Sequence, residues 1–170
     1  MNREIKFRGK RSKDDEWVYG GLVYRLPKHP EIIINEYITH QNGECEDNFV
    51  FYQDIYEDTV SQFTGLHDRN GEEIYEGDIL MCIGDRSDNK GKKYYRSVLF
   101  KHGSFCMTVP EYNCLSSLYS HVVNGRLLWE IVGNIYDNKD LLENDYGKER
   151  RNAKRSCTKG ILVQREIRLY

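Results

Sequence analysis

Short apolar and β-branched runs, separated by turns rich in Gly, Asn and Asp, constrain the fold of this chain more than any other feature of its sequence. The stretch TGLHDRNGEEIYEGDIL shows the pattern most clearly. Asp68 can accept hydrogen bonds from nearby backbone amides, Asn70 tolerates left-handed backbone angles, and Gly71 adopts positive φ at no steric cost. These three residues predict a tight turn between two extended segments, 62–66 and 72–75.

A second turn follows within the same stretch. Gly77 and Asp78 repeat the turn chemistry and predict a bend that leads into the strand DILMCIG. Runs of β-branched and aromatic residues predict the other strands: 5–8, 17–26, 31–40, 49–52, 94–100, 104–109 and 127–136. Helical spacing of apolar residues predicts a short amphipathic helix from about Tyr112 to His121. DIYEDTV can form one helical turn, and Asn138 is a candidate N-cap for another.

Aromatic residues are abundant and proline is scarce, as expected for half-buried pleated surfaces. The chain has 13 Tyr, 6 Phe and 2 Trp but only 3 Pro among its 170 residues. A Gly-Asp entry into a strand, a polar loop over 85–93 and a following β-hairpin resemble the order of elements in small SH3-like barrels. The sequence therefore predicts a mainly β, compact, barrel-like domain with one or two short helices.

Charge is unevenly distributed along the chain, although the formal net charge is only -2. Residues 1–13 contain six bases and one acid, and residues 148–170 contain eight bases and two acids. The central part is strongly acidic. Basic ends are typical of nucleic-acid-binding arms, but they can equally lie against an acidic body or simply be solvated.

A nucleic-acid-binding surface is therefore one hypothesis. Stacking platforms combine aromatic and basic side chains, and two segments of this chain have that composition. The candidate contact residues are Lys90, Lys92, Lys93, Tyr95 and Arg96 in the middle of the chain, and Arg150, Arg151, Lys154 and Arg155 near its end.

Catalytic and metal-binding patterns are missing from the sequence. Four carboxylates cluster around the central turns, at Glu72, Glu73, Glu76 and Asp78, and their position in polar turns predicts a solvated rim. A general acid and base would instead need environments that separate their pKa values. No histidine stands in a recognisable nucleophile context, there is no phosphate-binding glycine loop, and Asp68-x-Asn70-Gly71 is only a fragment of a calcium loop. We expect neither an enzyme nor a bound cofactor or metal.

The cysteine content and hydropathy predict a cytoplasmic protein. Five scattered cysteines contain no C-x-x-C pair, so they argue against a disulfide framework and a zinc site. No apolar run approaches the roughly 20 residues that span a bilayer, and the N-terminus lacks the apolar core of a signal peptide. We therefore expect no membrane association.

Three blocks resemble the YopX family, whose members occur largely in bacteriophages and prophages. They are REIKFRG, VSQFTGLHDRNGEEIYEGDIL and IVGNIYDNKDLL, which appear in the family's order. The resemblance implies a mostly β domain over residues 1–142 with barrel-like elements, and a phage or mobile-element origin. It implies no activity or catalytic residue, and it does not extend to the basic segment 143–170.

Two non-enzymatic functions are consistent with these features. The first is a protein-interaction module for a host or phage protein, because an aromatic β surface with exposed strand edges can pair with a partner strand. The second is a nucleic-acid-binding accessory protein that uses the basic N- and C-terminal segments. Exposed edges that carry little proline also make a homo-oligomer possible.

Overall fold

Two antiparallel β-sheets make up the fold in a computed structural model that describes residues 4–25, 29–39, 46–84, 87–109, 114–123 and 126–142. These residues contain thirteen strands. The strands are β1 Phe7–Lys10, β2 Trp17–Arg25, β3 His29–Thr39, β4 Glu46–Asp54, β5 Ser61–His67, β6 Glu73–Tyr75, β7 Asp78–Ile83, β8 Lys93–Lys101, β9 Ser104–Val109, β10 Cys114–Ser117, β11 Val122–Val123, β12 Arg126–Leu127 and β13 Glu130–Asn134. The predicted all-β class is therefore confirmed.

The first sheet has eight strands and the second has five. In the first sheet the order is β11-β12-β5-β1-β2-β3-β4, and β6 pairs with β5 outside this path. In the second sheet the order is β10-β9-β8-β7-β13. Neither sheet closes on itself, so the predicted barrel is wrong. The strands that begin and end each order keep an edge instead of pairing with one another.

The first sheet nevertheless curls strongly around a small apolar core. Val18, Ile32 and Ile55 form this core. A single bridge joins Arg11 to Ile55, just beyond the end of β4. The curl needs a glycine at position 9, because a Cβ there would lie 2.4 Å from Cδ1 of Ile55. The bridge and the glycine at position 9 therefore allow the chain at the end of β4 to lie next to the end of β1, although the two strands do not pair along their length.

A larger apolar core lies where the second sheet meets the β5–β6 hairpin. Its buried residues come from both sheets: Leu66, Ile74, Leu80, Val98, Phe105, Met107, Leu118, Leu127 and Trp129. In β7 the first four residues are buried whichever side they face, so the strand lies inside the molecule. Asp78, the first residue of β7, is therefore buried together with the strand.

Several local predictions are confirmed by the backbone. β5 and β6 pair as an antiparallel hairpin, and β8 and β9 pair through a turn at His102 and Gly103, both of which have positive φ. A register shift occurs between Ile131 and Gly133, where a bulge was predicted. The predicted turn in DIYEDTV is the 3-10 turn Glu57–Thr59.

The predicted helix over Tyr112–His121 is wrong. Residues 112–113 lie outside the described residues, Cys114–Ser117 forms β10 on the edge of β9, and only Leu118–His121 is a 3-10 turn. Of the apolar residues that suggested a helical face, Leu118 is buried but Leu115 and Tyr119 are exposed. Pairing with the open edge of β9 therefore replaced a helix that had no core to cover.

A helical turn does form over 139–142, as predicted, but Asn138 does not cap it with its side chain. Oδ1 of Asn138 instead accepts a hydrogen bond of 3.2 Å from the backbone N–H of Asn134. The predicted polar loop over 85–93 is shifted by one residue, since β7 ends at Ile83, a turn occupies 87–91 and Lys93 already belongs to β8. Residues 85–86 lie outside the described residues.

Candidate functional site

Three bases alternate along the first strand and point to one side of the sheet, because side chains two residues apart share a face. Lys6 and Arg8 alternate with Ile5 and Phe7, a pattern typical of a strand with one basic face. In the structure each base meets a carboxylate from a later part of the chain: Lys6 meets Glu73, Arg8 meets Asp78, and Lys10 meets Asp137. We refer to these three ion pairs as the charged seam. The N-terminal bases therefore lie against the acidic body, one of the arrangements that the sequence left open.

The central pair of the seam is buried. Nη2 of Arg8 lies 2.5 Å from Oδ1 of Asp78, and Oδ2 of Asp78 accepts a 2.8 Å hydrogen bond from the backbone N–H of Tyr75. The guanidinium carbon lies 4.6 Å from the ring centre of Trp17 and 4.9 Å from that of Tyr75. Nε of Arg8 is buried and has no hydrogen-bond partner. Two aromatic rings and one carboxylate therefore hold this cation away from water.

Burial and pairing shift the pKa values of the seam in different directions. Burial raises the pKa of Asp78, although Arg8 and the N–H of Tyr75 act against that rise. Burial also acts to raise the pKa of Asp137, but hydrogen bonds from Lys10, Asn134 and Trp17 outweigh it and lower the pKa to about 2. Asp137 is therefore ionised at neutral pH and completes the outer pair of the seam.

Asp78 is almost fully buried, so the expectation that the acidic turns form a solvated rim is wrong for this residue, and Asp68 is buried as well. Oδ1 of Asp68 accepts hydrogen bonds from the backbone N–H groups of Asn70 and Glu72, at 2.7 and 2.9 Å. Its Oδ2 accepts a third, of 3.1 Å, from the N–H of Ile131 in β13. Burial acts to raise the pKa of Asp68, and these backbone donors lower it by more. Asp68 therefore organises its turn and also fixes β13 to that turn.

Gly71 and Gly77 both have positive φ, at 92° and 81°, which is the backbone geometry that favours glycine. The backbone of Gly77 also contacts the last of the three resembling blocks, because its carbonyl accepts a 2.8 Å hydrogen bond from the N–H of Ile135. Asn70, the remaining predicted turn residue, is exposed, and its backbone N–H donates to Asp68.

An open groove of about 450 Å³ lies beside the charged seam. Its lining consists of Arg8, Tyr19, Glu72, Glu73, Tyr75 and Ile131. Asp68, Glu76 and Asp78 do not belong to this lining. The three sequence blocks REIKFRG, VSQFTGLHDRNGEEIYEGDIL and IVGNIYDNKDLL meet at this groove, since each contributes at least one lining residue.

The outer face of the ribbon formed by β2, β3 and β4 (the β2–β4 ribbon) continues from the groove and carries a group of apolar side chains. Cross-strand pairing places Gly21, Ile33 and Tyr52 in one row, because directly opposed residues point to the same side. Alternation along each strand adds the neighbouring positions, and we define the outer ribbon face by its five larger apolar residues: Tyr19, Val23, Ile33, Val50 and Tyr52. Val50 and Tyr52 are 45% and 48% exposed. Within the described residues no other strand pairs with the far side of β4.

A second cavity, of about 700 Å³, lies at the C-terminal end of β4. We call it the carboxylate pocket, and its lining consists of Ser12, Arg25, His29, Pro30, Glu31, Asp54, Ile55, Tyr56 and Glu57. Glu31 is only 6% exposed, whereas Asp54 and Glu57 are exposed. Sequence reasoning did not single out these residues. The available signal was a glutamate at the start of an otherwise apolar strand, EIIIN.

The predicted nucleic-acid contacts are dispersed. Arg96 is 5% exposed, and its guanidinium carbon lies 5.3 and 5.8 Å from the ring centres of Tyr94 and Trp129. Tyr95 is half-buried. The three lysines Lys90, Lys92 and Lys93 are exposed. The four basic positions near the end of the chain lie outside the described residues: Arg150, Arg151, Lys154 and Arg155.

Among the described residues, no three or more His, Cys, Asp and Glu side chains are grouped as metal ligands would be. Nor does any helix in this part of the chain have the length and apolarity needed to cross a membrane.

The fold and the charged seam together define an all-β protein whose two open sheets are joined through acidic turns. The family model for "YopX protein" matches residues 6–143. The chain therefore belongs to the YopX family.

One solved structure supports the fold. The crystal structure of protein EF1440 from Enterococcus faecalis superposes with a TM-score of 0.52 and is 20% identical in sequence. The match covers 83% of this chain and 99% of the other. At that identity the likeness concerns the fold alone. Among curated proteins, none matches the sequence of this chain.

Proposed function

We propose that the protein is a non-enzymatic, phage- or prophage-derived interaction module that binds a host or phage protein in the cytoplasm. The partner adds an extended strand to the edge of β4 and covers the outer ribbon face. The exposed apolar side chains of Val50 and Tyr52 on this edge strand carry the proposal.

Edge strands of soluble proteins are normally protected from pairing by charge, proline, short length or a covering element. The central part of β4 is not short and is not protected by proline or charge: it belongs to a nine-residue strand, contains no proline, and carries apolar side chains at positions 50–52. Water contact at three successive apolar positions costs free energy that a partner strand would recover. Backbone hydrogen bonds would supply affinity, and side chains on alternate positions would supply specificity.

The charged seam favours a protein over a nucleic acid as the partner. Three bases of the N-terminal strand are already matched with carboxylates, so they have little charge left to neutralise phosphates. Arg96 is buried. The lysines at 90, 92 and 93 remain exposed, and nuclease treatment in the experiment below tests whether they contribute.

Affinity purification of the full chain from bacterial host cells, with and without nuclease, tests the proposal. We expect the wild-type chain to retain a defined protein in both lysates. A Val50→Lys/Tyr52→Lys double variant should lose it, because two charges would be placed where the partner strand packs. Retention of the same protein by the double variant, or its loss on nuclease treatment, would contradict the proposal.

Tyr119→Lys is the matched control. Tyr119 is 67% exposed and lies in the 3-10 turn next to the second sheet, far in sequence from the ribbon. It therefore exchanges an exposed tyrosine for a lysine without touching β4, and it should retain the partner. Equal thermal midpoints of all three proteins show that any loss of binding is local. Static light scattering of the purified chain shows whether a second copy is itself the partner.

A further inference from the structure

We propose that the carboxylate pocket binds an arginine side chain of the partner strand. The inference deepens the proposed function and rests on it for the partner's identity, but the binding of a guanidinium group to the pocket is tested alone. Among partner segments that pair with β4, those that carry an arginine near the C-terminal end of β4 would then bind more tightly.

The first argument is an unsatisfied buried carboxylate. Glu31 is 6% exposed, lines the pocket, and has no hydrogen-bond partner at Oε2. Buried carboxylate oxygens normally accept hydrogen bonds, because the group loses its hydration on burial. The open oxygen of Glu31 therefore has the capacity to accept a donor from a ligand.

The second argument is that Arg25 supplies charge to Glu31 without satisfying it. Nε of Arg25 lies 3.1 Å from Oε2 of Glu31, yet the two atoms do not form a hydrogen bond. The guanidinium carbon of Arg25 instead lies 4.4 Å from the ring centre of Tyr52, and the side chain of Arg25 is 58% exposed. The guanidinium of Arg25 therefore stacks on Tyr52 at the edge of the pocket, and its Nε forms an ion pair with Glu31 but donates no hydrogen bond to it.

The third argument is the charge of the lining. Glu31, Asp54 and Glu57 provide three carboxylates, whereas Arg25 provides one permanent positive charge. The lining is therefore net negative and favours a cation. The cavity volume exceeds that of a metal ion many times, and the neighbouring Tyr56 offers an aromatic surface on which a planar cation can stack. A guanidinium group fits this chemistry because it is planar and donates several hydrogen bonds in one plane.

The fourth argument is position. Asp54 is the last residue of β4, and Ile55 and Tyr56 follow it directly. The edge at Asp54 and Tyr56 is itself paired with residues 10–12, so a strand that pairs with the central part of β4 must leave the edge before Asp54, next to the pocket. An arginine there could reach Glu31 while apolar side chains of the same strand cover Val50 and Tyr52.

Titration of the full chain with N-acetyl-arginine amide, followed by backbone amide NMR shifts, tests the pocket. We expect saturable shifts at Asp54, Ile55 and Tyr56 with a Kd of about 1 mM, as befits a small ligand. N-acetyl-citrulline amide has nearly the same shape but no charge, and it should cause no saturable shift. Equal binding of the two compounds, or no binding of the arginine compound, would overturn the inference.

Variants assign the binding to the carboxylates. Glu31→Gln should lower the affinity for the arginine compound by about tenfold or more, because the substitution removes a charge-assisted hydrogen bond. Asp58→Asn is the control: Asp58 is an exposed neighbour that does not line the pocket, and affinity should stay unchanged. Asp54→Asn, at an exposed position, gives a second test that does not disturb a buried group and should also weaken binding. Unchanged affinity in a folded Glu31→Gln protein would refute the assignment, and so would unchanged affinity in Asp54→Asn.

The two proposals fail separately. If the arginine compound binds but the Val50→Lys/Tyr52→Lys variant still retains the partner, strand addition at β4 is refuted and the pocket stands. If the arginine compound does not bind but that variant loses the partner, the pocket is refuted and strand addition stands.

Discussion

At the scale of single residues, the chain uses buried carboxylates to join segments that are far apart in sequence. Asp68 accepts three backbone hydrogen bonds, two within its own turn and one from β13. Asp78 pairs with Arg8 across 70 positions. A buried ion pair need not add net stability, because desolvation of both charges offsets their attraction. Loss of one member, however, leaves the other charge buried without compensation.

Replacement of Asp78 by Ala should therefore be severe. It leaves the guanidinium of Arg8 and the N–H of Tyr75 without their acceptor, and we expect the free energy of unfolding to fall by about 3–5 kcal/mol. Urea denaturation measures the change. Asp14→Ala is the control, since the Arg11–Asp14 pair is exposed to solvent, and its effect should be small. Similar losses in the two variants would show that the burial of the Arg8–Asp78 pair is unimportant.

Asp137 predicts a dependence of stability on acid pH. Its pKa in the folded protein is about 2, below the ordinary value of 3.8, so its ionisation stabilises the fold above about pH 4. That contribution is lost as the pH falls towards 2. In Asp137→Asn the charge opposite Lys10 is missing at every pH. We therefore expect the stability difference between wild type and variant to shrink as the pH falls.

Urea midpoints of wild type and Asp137→Asn at about pH 6 and about pH 3 measure this effect. Asp68 and Glu73 also have lowered pKa values, so both proteins should lose some stability in acid. Asp78 acts in the opposite direction, because its pKa is raised. A difference between the two proteins that stays the same at both pH values would rule out the role of the Asp137 charge.

At the scale of elements, the β2–β3 pairing depends on one glycine of an adjacent pair. A Cβ on Gly20 would lie 2.1 Å from the backbone carbonyl oxygen of Ile33, which is far closer than atoms can approach. A Cβ on Gly21 would meet nothing within 4 Å. Adjacent glycines within a strand, such as Gly20 and Gly21, predict a bulge or a close backbone approach. The structure assigns the close approach to the first glycine and leaves the second on the open outer ribbon face.

Gly20→Ala and Gly21→Ala are therefore a matched pair of variants. Gly20→Ala must separate the backbones of β2 and β3, and we expect a loss of about 3 kcal/mol or more in the free energy of unfolding. Gly21→Ala should leave stability within about 0.5 kcal/mol of wild type or raise it slightly, because alanine restricts the unfolded chain. Thermal and urea unfolding of both variants gives the comparison. Equal effects at the two positions would mean that the close approach is relieved without cost.

At the scale of the whole molecule, the segment 126–142 contributes both to the second sheet and to the charged seam. β13 pairs with β7, Ile131 donates to Asp68, and Asp137 meets Lys10. The family match ends at residue 143, close to the boundary predicted after residue 142. The contacts that define both cores and the seam are all formed within residues 4–142.

Truncation after Leu142 should therefore preserve the fold. We expect a urea midpoint within experimental error of the full chain, because none of the described core residues is removed. The same two proteins distinguish the functions of the basic segment 143–170 in a mobility-shift titration with DNA and RNA. Salt-sensitive binding by the full chain that disappears on truncation would favour the nucleic-acid hypothesis over the proposed function. A large drop in stability would show that the domain boundary is wrong.

The sequence by itself determined the local structure of this protein. Turn chemistry at Asp68, Gly71 and Gly77, and the alternation within most strands, depend on residues only a few positions apart. The tertiary structure alone decided which charges meet, which turn carboxylates are buried and which strand is left at an edge. Lys6, Arg8 and Lys10 form an apparently solvated basic face in the sequence, and only long-range pairing supplies their carboxylates. These contacts join residues 67, 70 and 127 positions apart, so no local pattern encodes them.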